Sequence, residues 1–261
     1  MSFRFSLSFF IKLCFIVFSL LVLSCKSKAD NVNITSEGEE GLSEVKPFFK
    51  LSLAQWSLHR SILEDKSISA MDFAKAAKEM DFSGLEYVSQ LYKSQIEDLG
   101  MQTVLDSLRS ESKKYGLQNV LIMVDGEGDL ANPSEEIRNK AVEQHKKWVD
   151  AAKYLGCHSI RVNTFGSKIP EEWHEAVVDG LTKLSEYAAT KNINVLVENH
   201  GWLSSDADKL MDAIYAVNME NCGTLPDFGN FCVKRKEGAR WGECEEEYKD
   251  IYLGVKKMMD K

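Results

Sequence analysis

The chain has 261 residues, a net charge of −8 at pH 7 and an apolar content of 44%, which suffices for one well-cored domain. The acidic balance argues against a nucleic-acid partner. Its six cysteines show no CxxC spacing, so neither a zinc ribbon nor a small disulfide scaffold is indicated.

Arg4 and Lys12 bracket a Ser- and Phe-rich start, and residues 13–23 are almost wholly apolar; these are the charged and hydrophobic regions of a secretory signal. The apolar run is shorter than the span of about 20 residues that a membrane helix needs. It ends at Val22-Leu23-Ser24-Cys25, which is similar to a lipobox. That resemblance implies cleavage before Cys25, lipidation of Cys25 and anchoring by acyl chains. An uncleaved anchor helix with an incidental cysteine is the alternative. Either way the remainder faces an extracytoplasmic space, periplasm or cell surface, on a bacterial membrane. Residues 26–46 are polar, with few large apolar side chains, and read as a tether. Residues 47–261 are left as a single domain.

Within it, short β-rich runs at 51–56, 84–88, 119–124, 159–163, 194–198 and 223–227 alternate with helical patterns at 70–80, 100–115, 134–155, 171–190, 205–217 and 245–259. The helical segments carry apolar residues at i, i+3 and i+4. Acidic first turns follow Pro133-Ser134 and Pro170, and Gly116, Gly156 and Asn192 close helices. Six βα units in sequence predict a parallel sheet with helices outside. The first strand is followed by Gln55-Trp56-Ser57-Leu58-His59-Arg60, and neither GxGxxG nor a phosphate-binding loop occurs, which disfavours a dinucleotide fold. Ionisable and polar residues gather instead at strand C-terminal ends: His59, Glu86, Asp125, Glu127, Asn163, Glu198, His200 and Asp227. A (β/α) barrel keeps its active site there.

The fifth run is the most informative. A wholly apolar strand ends in Glu198, with His200 two residues on and hence on the same face. A carboxylate at the end of such a strand needs a partner, and a divalent cation is the strongest one; a salt bridge or a helix cap is the plainer account. Asp227, in Leu225-Pro226-Asp227-Phe228-Gly229-Asn230, adds a second carboxylate, although DxGN alone is a common Asx-type turn. Trp56 and Trp202 offer faces for a bound ligand or for the core. Arg161 shares the face of Asn163 and is a candidate charge partner for the carboxylates. His145, beside Lys146 and Lys147, reads as a solvated helix residue. A disulfide such as Cys232–Cys244 is compatible with an oxidising space.

Val197-Glu198-Asn199-His200-Gly201 and Leu225–Asn230, on consecutive strands, resemble the xylose-isomerase-like sugar (phosphate) isomerase/epimerase barrels; Gly84-Leu85-Glu86-Tyr87 and Leu155–Asn163 extend the likeness. The resemblance implies a (β/α)8-type TIM barrel and a divalent metal (Mn, Mg or Zn) on Glu198 and Asp227. It also implies Glu198 as acid/base beside a substrate carbonyl. His200 is then a catalytic or supporting candidate, and Glu86, Asn163, Trp202 and His59 are candidate substrate contacts.

Family barrels have eight βα units, with further ligands and a second catalytic glutamate on the last two strands. Here only about six units are legible, so the barrel is expected to be incomplete, by truncation in preference to completion by a partner or closure by homo-oligomerisation. The expected function is a metal-dependent sugar isomerase or epimerase on a free or glycosidic sugar. A keto-sugar lyase or hydratase and a catalytically dead carbohydrate-binding lipoprotein are the alternatives.

Overall fold

The computed structural model describes residues 48–261; the signal-like start, Cys25 and the polar stretch 26–46 lie outside the described residues. The architecture is a six-stranded parallel sheet in sequential order: β1 (Ser52–Ala54), β2 (Gly84–Val88), β3 (Gln118–Met123), β4 (Ser159–Val162), β5 (Asn194–Glu198) and β6 (Cys222–Leu225). Every neighbouring pair is parallel. Among the described residues β1 and β6 do not pair, so the barrel-like sheet stays open. β4 is buried along its whole length, and β2 and β5 nearly so, as expected of parallel strands covered on both faces.

Helices α1 (His59–Leu63), α2 (Phe73–Glu79), α3 (Lys93–Leu99), α4 (Met101–Tyr115), α5 (Glu135–Leu155), α6 (Pro170–Thr190) and α7 (Ala207–Val217) connect the strands. Their apolar stripes meet the sheet in one continuous core that includes Phe73, Leu85, Ile122, Ile160, Leu181, Leu184, Val195 and Val197. The start and stop chemistry acts as expected. α6 opens on Pro170 with Glu171 and Glu172 in its first turn, and Gly156 ends α5 in the left-handed region, at φ 80°. Asp206 caps α7 by accepting from the backbone N–H groups of Asp208 and Lys209. Among the described residues no helix is long and apolar enough to cross a membrane.

Helices α1 and α3 add to the six expected, and two of the expected elements are cut short. The first strand stops at Ala54 because the buried Gln55 side chain turns inward. It donates to the Ala70 carbonyl and the Tyr92 hydroxyl and accepts from the Val88 N–H, and a 3-10 turn replaces the strand. The helix expected over 245–259 is shorter. An antiparallel hairpin, β7 (Cys232–Arg235) with β8 (Cys244–Glu247), occupies its first residues and is closed by a Cys232–Cys244 disulfide. Helix α8 (Ile251–Met258) begins only after Asp250, whose carboxylate accepts from the Leu253 N–H. The cysteine pairing that the sequence allowed is therefore formed, and it overrides the local helical pattern.

Candidate functional site

The C-terminal ends of the strands open into a cavity of about 1010 Å3. Its centre is a chain of partly to fully buried polar groups at the ends of β3, β4 and β5 and in the turn after β6. β4 places Arg161 with its side chain only 6% exposed, between two carboxylates. Its Nη1 donates to Asp125 Oδ1 at 3.0 Å, and its Nε lies 2.8 Å from Glu198 Oε2. That second contact is a close charge pair without hydrogen-bond alignment. The other oxygen of Glu198 accepts from Asn230 Nδ2 at 3.0 Å. The expected Arg161 partnership with the carboxylates is thus present, and the plainer salt-bridge account of Glu198 describes one of its two oxygens.

Burial pushes the Glu198 carboxyl above its ordinary pKa; Arg161 opposes this shift, and Asp227 and Asp125 reinforce it. A carboxylate with such a raised pKa is a stronger base than one in water, and Arg161 favours its ionised form.

Asn163 orders the next link. Its Nδ2 donates to Asp125 Oδ1 at 2.7 Å, so its Oδ1 is the acceptor facing His200 Nδ1, 2.7 Å away. His200 Nδ1 therefore carries the proton, and Nε2 keeps a lone pair. Burial, then Arg161, lowers the imidazole pKa from 6.5 to about 4, so the ring is neutral at physiological pH.

Asp227 sits in an Asx turn. Its Oδ1 accepts from the Gly229 N–H, and its own N–H donates to Asn199 Oδ1, both at 2.7 Å. Asn199, wholly buried, also donates to the Asp227 and Asn230 carbonyls, so β5 holds the post-β6 turn through one amide side chain. The turn reading of DxGN and the placement of Asp227 at the cavity are both correct descriptions of the same residue.

Glu86 lines the cavity and receives the Ser52 hydroxyl. His59 lies on the rim, stacked on Trp56 with ring centroids 4.6 Å apart and its Nδ1 on the Trp56 carbonyl. Trp202 is not among the cavity-lining residues; its Nε1 donates to the Ala239 carbonyl and it packs edge-on against Phe165. His145 corrects its expectation. It is 2% exposed and lines the cavity, with Nδ1 on the Ala141 carbonyl at 2.7 Å, because α5 turns this residue toward the sheet while the flanking lysines snorkel outward. Phe165, Arg240 and Trp241 also line the cavity and were not legible as site residues; Trp241 arrives on the disulfide-closed hairpin.

Among the described residues, no three His, Cys, Asp or Glu side chains group as a metal site. Glu198 and Asp227 both line the cavity and supply two carboxylates. This donor set suits a hard divalent cation that shares its shell with water and substrate oxygens, as Mg2+ does, and does not suit a closed protein cage.

A family model described as a xylose isomerase-like TIM barrel matches residues 74–258. No curated protein matches. Among solved structures the chain is similar to the IOLI protein with a bound zinc atom (16% identity, TM-score 0.56, covering 67% of this chain and 62% of that one). It is also similar to the probable 3-DHS dehydratase AsbF of Bacillus anthracis (21%, TM-score 0.55, 69% and 63%). A third is D-psicose 3-epimerase of Clostridium cellulolyticum H10, in a structure with D-tagatose (13%, TM-score 0.58, 72% and 67%). The chain spans less than two thirds of the first two, and at these identities the likeness is one of fold.

Proposed function

The chain belongs to the xylose isomerase-like TIM barrel family, and we propose that it acts on a small carbohydrate as an isomerase or epimerase, with Glu198 moving a proton beside a carbonyl. The observation that carries this reading is Glu198 itself: a buried carboxylate of raised pKa at a strand end, facing a cavity large enough for a sugar. In the proposal Glu198 takes the proton from the carbon next to the carbonyl and returns it to the former carbonyl carbon, while the hydroxyl proton of the first carbon passes to the former carbonyl oxygen, so that aldose and ketose interconvert with no net gain or loss of protons. His200 Nε2, a lone pair on a ring fixed by Asn163, accepts a substrate hydroxyl, and Glu86 accepts another. Arg161 holds Glu198 in place and favours its ionised form.

Glu198 and Asp227 are the residues that would hold a divalent cation, Mn, Mg or Zn, and such an ion supplies charge stabilisation for the enediolate oxygens. A lipid-anchored, extracytoplasmic location through Cys25 belongs to the same proposal and is supported by the lipobox-like residues 22–25.

A second reading, carbohydrate binding without turnover, is favoured by one observation: both Glu198 oxygens already have protein partners. Deuterium exchange separates the two. With Mn2+ and D-fructose in D2O, the isomerase reading expects deuterium to enter at the carbon beside the carbonyl, and Glu198→Gln to abolish this. Calorimetric titration with Mn2+ is expected to show binding that is lost in both Glu198→Gln and Asp227→Asn. Sugar binding with no exchange leaves the binding reading; exchange at wild-type rate in Glu198→Gln refutes the role of Glu198.

A further inference from the structure

The hairpin after β6 does more than close the chain's last turn. It crosses the cavity mouth from the β6 side to the loop after β3, where Arg240 meets Asp129 at 3.4 Å. Two further ties hold it down: Trp202 Nε1 donates to the Ala239 carbonyl at 3.0 Å, and Lys168 Nζ donates to the Gly238 carbonyl at 2.6 Å. Arg240 also lies over the Phe165 ring, 4.1 Å from its centroid. Inside the hairpin, the Cys232–Cys244 disulfide and the Arg235 bond to the Gly242 carbonyl fix the loop's base.

What these ties position is Trp241. It lines the cavity yet remains 50% exposed. Its ring sits 4.8 Å from His200 and 5.8 Å, edge-on, from Phe165. A large aromatic ring held over a polar cavity, with one side backed by aromatic neighbours and half its surface open, is unexplained by packing. An indole face in this setting matches the apolar C–H face of a sugar ring, while the carboxylates and amides below meet its hydroxyls.

We infer that Trp241 is the sugar-stacking platform of this site and that the disulfide-closed hairpin is the element that sets its position. The inference rests on the carbohydrate reading above, but only on binding and not on proton transfer. The tryptophan needs its hairpin: with the clamp removed, the loop's ordering entropy is charged against each binding event.

The test uses the full chain in detergent, with D-fructose and D-glucose as probes and saturation-transfer NMR as the readout of affinity. Trp241→Ala is expected to weaken binding at least tenfold and Trp241→Phe less than threefold. The Cys232→Ser/Cys244→Ser double variant is expected to weaken binding severalfold, with transfer to the sugar's C–H protons reduced. Equal thermal midpoints in wild type and Trp241→Phe keep the comparison valid even where Trp241→Ala folds poorly. Wild-type affinity in Trp241→Ala, or a loss in Trp241→Phe as large as in Trp241→Ala, overturns the platform and leaves the proton-transfer reading intact. Binding that depends on Trp241 without deuterium exchange upholds the platform and sinks catalysis. No binding of either sugar by the folded wild type overturns both.

Discussion

Replacing Arg161 with Met keeps much of the side-chain stem but deletes the one guanidinium between two carboxylates. The side chains of Arg161, Glu198 and Asp125 are 6%, 9% and 18% exposed. Removing one partner of a buried pair costs about 3–5 kcal/mol, because the other charge stays buried. Asp125 reaches cavity water more readily, so the main orphan is Glu198, and the expected cost is at the lower end, about 3 kcal/mol at pH 7. With a urea m-value of roughly 2 kcal/mol/M, the unfolding midpoint falls by roughly 1.5 M. The deficit depends on pH with a definite sign. Arg161 is what lowers the Glu198 pKa, so in the variant that folded value rises further above the unfolded one. A raised folded value stabilises the protonated folded form; this advantage is present at low pH and is lost as pH rises through the folded pKa. The gap between variant and wild type should therefore narrow from pH 7 to pH 5. Urea titrations followed by tryptophan fluorescence at both values decide it. A midpoint unchanged at pH 7, or a deficit equal at both pH values, refutes the role given to Arg161.

Other positions give independent checks. Asp179→Asn removes the partner of the largely buried Arg138, a contact of 2.6 Å, and should cost about 1 kcal/mol once solvent screening is allowed for. Burial raises the Asp179 pKa, but its bonds to Lys183 and Arg138 bring it below 3.8. Its contribution is therefore present above that pH and lost as pH falls through the lowered value, where chemical denaturation should show wild type and variant converging. Gly180→Ala would place a methyl carbon 2.3 Å from the Leu130 carbonyl oxygen; instead of the usual gain of about 1 kcal/mol for Gly→Ala in a helix, calorimetric melting should show a loss of about 1–3 kcal/mol. His200 should titrate near 4 rather than 6.5 in an NMR pH series. Because the folded value is lowered, its contribution to stability is full above pH 6.5 and declines as pH falls toward about 4.

The βα alternation was legible because parallel strands buried on both faces and helices with one apolar stripe leave distinct periods, and because Pro170 and Gly156 mark ends chemically. Glu198, His200 and Asn163 could be picked out because strand parity sends alternate residues to the cavity, whereas Asp227 was marked by its motif's resemblance to the family. Other parts were not. His145 looked solvated because its neighbours are lysines, and periodicity does not tell which way a helix turns when its charged neighbours can snorkel. Gln55 ended a strand through three partners contributed by segments far along the chain. β8 hid within a helix-like run of glutamates, and a disulfide between cysteines twelve positions apart pairs it with β7 in place of the local helix. Trp241 carried no motif; its place follows from ties made by Lys168, Trp202 and Asp129, which are remote in sequence.

The cavity lining joins six carboxylates, Glu86, Asp125, Glu127, Asp129, Glu198 and Asp227, to only two guanidiniums, Arg161 and Arg240. Such a chamber sorts visitors by charge before shape is consulted. Arg161 serves two of these carboxylates, Arg240 a third and Lys147 a fourth; without a bound cation a phosphorylated sugar still meets repulsion of about 2 kcal/mol for each uncompensated charge pair at roughly 8 Å and an effective dielectric constant of roughly 20, whereas an uncharged sugar meets none. More than a tenfold preference for neutral ligands is expected of the cation-free protein, and it should shrink as added salt or a divalent cation offsets the field.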